Sequence, residues 1–171
     1  AKVRGESFRF VSTHLESVSD LIRQAQAAEL VAGLADSPLP TVLVGDFNAT
    51  PTGPDSGAYN IITAAGFADA WTVTHPGEDG FTWGQAELLD NPVSTADQRI
   101  DHLFTRGALF AADVTLVGDD PADRTPSGLW PSDHAGVVGD LVLARRPAQT
   151  GFAFSTAAIG KTKLRPEAVW A

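Results

Sequence analysis

A chain of 171 residues, 43% hydrophobic and 19% charged, holds enough apolar material for the core of a single domain of ordinary size. Its 12 Lys and Arg against 21 Asp and Glu leave a formal net charge of -9, which weighs against a sequence-blind nucleic-acid surface, because neutralising phosphates takes clustered cations. With no Cys, a disulfide framework, a thiolate zinc site and a Cys nucleophile are all excluded. No apolar run approaches the ~20 residues of a membrane-spanning helix and no signal-peptide stretch opens the chain, so a soluble chain without a membrane span is expected, its compartment undetermined. The complete absence of Met predicts a processed product or a fragment of a longer protein.

In chain order, Val3-Arg4-Gly5-Glu6 looks like a hairpin turn feeding a strand. Residues 7–15 alternate, with Phe8 and Phe10 on one side and Arg9, Val11 and Thr13 on the other, which predicts a strand ending in Thr13-His14-Leu15. Over residues 17–34 the apolar Val18, Leu21, Ile22, Ala25, Ala28 and Ala32 recur at helical spacing, with Asp20 in the first turn and Arg23 and Gln24 expected to face out. Pro38 and Pro40 end that pattern. Thr41-Val42-Leu43-Val44 follows as a β-branched run without polar alternation, as a strand covered on both faces would be. Residues 56–65 read as a short helix stopped by Gly66, and residues 67–71 lead into a Gly- and Pro-containing loop over 74–80. Further strands are expected over 81–83, 99–104, 114–117 and 135–143. Strand, helix and buried strand in succession predict a layered α/β domain whose ligands collect in the loops leaving the strands. The change of composition at Ala144-Arg145-Arg146-Pro147 puts the domain at residues 1–145 and a flexible tail at 146–171.

Four polar stretches fall within these strands or at their ends. Taken singly, each has a structural reading. His14 is a satisfied strand-end histidine, Asp46 with Asn48 an Asx turn, Asp101 a strand carboxylate pairing with Arg99 or Arg106, and Asp133-His134 a cap or turn. Taken together they supply the parts of metal-assisted phosphoester hydrolysis, which needs a cation for the phosphate, a group to handle protons and donors for the transition-state charge. Carboxylates at Asp46 and Asp133 suit a hard ion such as Mg2+; His14 and His134 can hydrogen-bond phosphate oxygens; Asn48 adds a neutral donor. Asp101 fits the partner of a histidine, holding the ring and raising its pKa. His75 reads as a loop residue. His102 reads as structural, because strand alternation turns it away from Asp101. Arg124 and Trp130, in the loop over 119–131, are candidates for substrate choice.

Thr13-His14, Gly45-Asp46-Phe47-Asn48, Arg99-Ile100-Asp101 and Ser132-Asp133-His134, in this order, resemble the motifs of the endonuclease/exonuclease/phosphatase superfamily, over residues 7–143. The resemblance implies a deoxyribonuclease I-like α/β (α+β) fold, a four-layer β-sandwich flanked by helices, of which the chain carries only the C-terminal portion. It also implies a Mg2+-dependent hydrolase, with Mn2+ as a substitute, acting on phosphodiesters or phosphomonoesters by attack of a metal-activated water on phosphorus. By the same resemblance Asp46 activates or orients the water, Asn48 holds a phosphate oxygen and His14 contacts phosphate near the leaving group. Asp101 orients His134, His134 stabilises the transition state or shuttles a proton, and the metal falls to Asp46, Asn48 and Asp133. His102 stands where the family commonly has Tyr. The family's upstream Asn and Glu have no counterpart here, so the upstream half of the same domain is an expected partner. The substrate is expected to be a nucleic acid, a phospholipid headgroup or an inositol phosphate. The alternative is an incomplete or non-catalytic fragment whose exposed apolar face needs that half, or another partner, to fold and act.

Overall fold

The computed structural model describes residues 1–144 and 163–164; most of the tail expected over 146–171 therefore lies outside the described residues. The chain opens in a two-stranded hairpin, β1 (Lys2–Val3) and β2 (Glu6–Ser7). Its turn residues Arg4 and Gly5 both have positive φ, 48° and 89°, the backbone that matches a tight hairpin to strand twist. β3 (Arg9–His14), α1 (Asp20–Leu34) and β4 (Thr41–Asp46) then form a crossover unit in which β3 and β4 run parallel. After α2 (Gly57–Ala64), β5 (Ala68–Asp69) and α3 (Ala70–Thr74), β6 (Asp101–Arg106) returns antiparallel on the far side of β4. The central sheet thus has the order β3-β4-β6-β5. A second sheet pairs β7 (Leu109–Val117) with β8 (Gly136–Leu143), and β9 (Lys163–Leu164) joins β8 at Leu141 and Val142.

β4 explains its own composition. Thr41, Val42 and Leu43 are 0%, 2% and 0% exposed, so the first half of the strand is covered on both faces and shows no alternation of buried and exposed positions. Leu43 and Phe104 face the helix side, where Ala27, Leu34, Tyr59, Ile62 and Phe67 close one core. Val42 and Leu103 face the second sheet and join Leu109, Val114, Leu141 and Leu143 in another. The result is a mixed α/β arrangement in which a helix layer, the central sheet and the second sheet are stacked.

Helix α1 starts where its sequence signals it, with the Ser19 hydroxyl accepting from the Ile22 amide at 3.4 Å, but its buried face is not the expected one. Val18, Leu21 and Ile22 are 90%, 80% and 50% exposed, while Arg23 is 3% exposed. The reason is local pairing. Arg23 Nη1 donates to the Glu16 and Ser17 carbonyls and Nη2 to Asp20 and Asp55, so its charge is satisfied as it sinks beneath the helix. Ala27 and Leu34 continue the same stripe. Two smaller expectations also change. Residues 81–83 contribute only isolated bridges, from Trp83 to Gln98 and to His134. Residues 70–74, expected to run into loop, form α3 because Asp69 caps it, accepting from the Trp71 amide at 3.1 Å.

Gly45 is the tightest point of the sheet. Its φ is +143°, and a Cβ built there would meet the Thr13 carbonyl oxygen at 1.8 Å. Gly45→Ala is expected to cost at least about 3 kcal/mol, combining backbone strain with displacement of β3, read as a lower urea midpoint. Gly53→Ala, at φ +87° with nothing within 4 Å, should cost only the strain, roughly 1 kcal/mol. Equal midpoints for the two variants would contradict this packing.

Candidate active site

The strand register assembles the site. His14 on β3 pairs with Asp46 on β4, and Asp46 pairs with Asp101 on β6, so one row across three strands carries an imidazole and two carboxylates on the face turned towards the second sheet. His14 Nε2 lies 3.4 Å from Asp46 Oδ2, its side chain 71% exposed. His134 enters from the loop before β8, guided by the bridge from Trp83, whose ring lies 6.4 Å from its own. Its Nδ1 sits 2.8 Å from Asp101 Oδ2. A carboxylate accepts only, so Nδ1 carries the proton and Nε2 is free for chemistry. Neither Arg99 nor Arg106 pairs with Asp101: the first bonds Asp69 and the second donates to the Leu34 carbonyl.

The loop leaving β4 is both an Asx turn and part of this cluster. The Asn48 amide donates to Asp46 Oδ1 at 2.8 Å, and Asn48 Nδ2 donates to the Leu15 carbonyl at 2.9 Å. Asn48 holds φ +48°, a left-handed backbone that Asn tolerates better than most residues. The Phe47 amide bonds the Ile100 carbonyl at 2.9 Å and the Leu15 amide bonds the Asp46 carbonyl at 3.0 Å, which tie the loop to the neighbouring strands. Asp46, Asp101 and His134 offer ligand atoms within 4.8 Å of one another, a group that could hold a metal ion. Asp133 is outside that group. It is exposed, with Oδ1 3.4 Å from the Ser132 hydroxyl.

Two shifted groups mark the site. Burial raises the Asp46 carboxyl above its ordinary pKa and the facing Asp101 adds to the rise, against the opposing pull of the Asn48 amide, His134 and His14. The hydrogen bond to Asp101 raises the His134 imidazole; burial opposes it, and the charges of Asp101, Asp46 and Asp133 reinforce the rise. Two carboxylates facing each other beside a half-buried loop leave an excess of negative charge, which suits a cation with hard oxygen ligands.

Several supporting contacts were not expected from the sequence, one of them made by Arg99 of the Arg99-Ile100-Asp101 motif. The Thr82 hydroxyl accepts from the amides of both Ile100 and Asp101, at 3.2 and 3.1 Å, and so fixes the backbone that presents Asp101. Arg99 and Tyr59 both bond Asp69, tying β6 to the start of α3 and to α2. Only the alternation of Thr82 between two aromatic residues hinted at a structured role. His75 stacks on Trp71 at 4.3 Å and serves its own loop. Trp130, expected to help choose substrate, is 1% exposed, with Nε1 donating to the Asn91 carbonyl at 2.8 Å. Arg124 bonds the carbonyls of Gly128 and Asp90 and lies over the Trp130 ring at 5.8 Å. Both side chains lock the two long loops to each other.

The sequence profile of the Endonuclease/Exonuclease/phosphatase family matches residues 4–134. Among solved structures, the chain is similar to a mannosyl-6-phosphatase of Bacteroides thetaiotaomicron VPI-5482, with a TM-score of 0.65 and 23% identity over 81% of this chain and 52% of that one. It is similar to D. rerio TDP2 complexed with a single-strand DNA product, at 0.64 and 20% identity over 82% and 58%. Truncated Caenorhabditis elegans TDP2 gives 0.57 and 26% over 81% and 56%. The chain therefore spans a little over half the length of these structures. No curated protein sequence matches it.

In metal-free buffer, the His134 ring protons are expected to titrate above the ordinary histidine value of about 6.5, and to fall back towards it in Asp101→Asn. Because the folded-state value is the raised one, the pair adds stability that is complete below about pH 6.5 and is lost as pH rises through the folded-state pKa. An NMR titration with the same midpoint in both proteins would refute the pairing.

Proposed function

Because the chain belongs to the endonuclease/exonuclease/phosphatase family, we propose that it carries the proton-handling part of a divalent-metal-dependent phosphoesterase. The observation that carries this reading is the registered row of His14, Asp46 and Asp101, with His134 bonded to Asp101 at 2.8 Å. Asp46, its pKa raised, accepts the proton of the attacking water or orients that water. His134, whose charged form Asp101 favours, stabilises the negative charge gathering on phosphorus oxygens or returns a proton. His14, exposed beside Asp46, contacts phosphate near the leaving group. Asn48 spends one amide hydrogen on the Leu15 carbonyl and keeps the other for a phosphate oxygen.

A divalent ion, Mg2+ or in its place Mn2+, neutralises phosphate charge and lowers the pKa of a bound water. Asp46 would hold it with the Asn48 amide oxygen, and Asp133 would reach it through water. The fit rests on Asp46, which belongs with Asp101 and His134 to the group whose ligand atoms lie within 4.8 Å of one another; Asn48 adds an amide oxygen, and Asp133, outside that group, acts only through water. The substrate is a phosphoester of a nucleic acid, a phospholipid headgroup or an inositol phosphate, and the fold does not choose among them. In the full-length protein, Asp46→Ala and His134→Ala should each lower kcat for bis(p-nitrophenyl) phosphate by roughly 10²- to 10⁴-fold with circular dichroism unchanged, and chelation should abolish turnover. Full activity in both variants would overturn the assignment; a panel of DNA, sphingomyelin and inositol phosphates then ranks substrates.

A second reading concerns the isolated chain. β3 is the edge of the central sheet among the described residues, Phe10 on it is 51% exposed, and Val18 just before α1 and Leu21 and Ile22 in its first turn are open to solvent. A groove of about 480 Å3 between β3 and α1 is lined by His14, Leu15, Gln26, Leu30 and Leu34. We read this edge as the seat of an upstream half of the same domain, which would complete a four-layer β-sandwich and close the site on the His14 side. Joining that half to the chain should raise turnover and suppress binding of a hydrophobic dye. A monomeric chain with full metal-dependent turnover by itself would refute the need for it.

A further inference from the structure

His102 adjoins Asp101 on β6 but points the other way, into the core beneath the site loop. Its side chain is 0% exposed and sits among Phe47, Tyr59 and Phe104, with ring centroids 5.9, 5.2 and 5.1 Å away. Its Nε2 lies 2.8 Å from the carbonyl oxygen of Ala49, itself 0% exposed. A carbonyl only accepts, so Nε2 carries the proton, which leaves Nδ1 an acceptor. That atom has no hydrogen-bond partner, and Asp69 Oδ2 stands 3.9 Å from it.

A phenyl ring would pack in the same aromatic cage and would bury no unpaired nitrogen. The gain that sets the imidazole apart is the bond to Ala49. Without it, a buried backbone carbonyl immediately after Asn48 would have no donor. Asn48 is held on its outer side by Leu15 and Asp46, in a left-handed backbone that needs support from its surroundings. The inner side of the same loop is held by His102.

We propose that His102 is a positioning residue that clamps the loop of Asp46, Phe47 and Asn48 from within the core. β6 then supports the site through both of its faces: Asp101 orients His134 on one, and His102 fixes the loop bearing Asn48 on the other. Only the kinetic consequence rests on the phosphoesterase reading; the clamp itself is a property of the folded chain.

The test compares His102→Phe, which keeps the cage and removes the donor, with His102→Gln, which keeps a side-chain N–H near the same place. In His102→Phe the amides of residues 47–50 should exchange about tenfold faster than in the wild type while those of β7 and β8 are unchanged. Mn2+ affinity and kcat should each fall about tenfold with KM nearly constant, and His102→Gln should recover most of both losses. Unchanged loop exchange in His102→Phe, or acceleration shared equally by β7 and β8, would overturn the proposal. A long-range ¹H–¹⁵N spectrum of the wild type gives an arm that needs no variant: a proton on Nε2 is expected, and one on Nδ1 alone would overturn it. Should the wild type neither bind Mn2+ nor turn over, the phosphoesterase reading fails while the exchange and tautomer results still decide the clamp.

Discussion

The pairing of β4 with β3 on one side and β6 on the other is the constraint from which the site follows. Side chains alternate along a strand with a period of two, so a slip of one residue in either pairing would send Asp46 to the opposite face from its neighbours. The register is held where slippage would be most costly, since Val42 and Leu43 would exchange cores and the Gly45 backbone lies against Thr13. A row of functional groups is thereby fixed by apolar burial a few residues away. The chemistry inherits its accuracy from packing.

That row carries like charge, and the rest of the site is organised around it. Asp101 is matched by a direct bond to His134, whose imidazole is pulled towards its charged form; Asp46 is offset by the Asn48 amide and by the charges of His134 and the exposed His14. Residues that touch nothing reactive keep this geometry in place: Thr82 fixes the Asp101 backbone, and Arg99, Asp69 and Tyr59 tie β6 to two helices. Farther from the row, Trp130 and Arg124 hold their loop to the carbonyls of Asn91 and Asp90.

Much of this was legible in the sequence, for identifiable reasons. β4 announced itself by a short run of Thr, Val, Leu and Val with no charged residue, and Gly-Asp-Phe-Asn by turn residues placed where a buried strand must exit. The face of α1 was misread because counting apolar residues assumes that charged ones stay outside, whereas Arg23 finds four partners in the loops around the helix start. Trp130 and Arg124 looked like surface recognition groups because nothing local reveals that Asn91 and Asp90, 39 and 34 positions earlier, supply carbonyls they bind. Thr82 escaped notice for the same reason. Its partners lie 18 and 19 residues away, and only the fold brings them to it.

The bonds that fix the site also span long stretches of chain. Asn48 to Leu15 and His134 to Asp101 each join residues 33 apart, and His102 to Ala49 joins residues 53 apart. Contacts of that kind form only after large loops have closed, a loss of chain entropy that local helix and hairpin formation does not demand. A partly folded chain can therefore hold α1 and α2 and still possess no site. Assembly of the site becomes a late event in folding, because its residues meet only when the topology is complete.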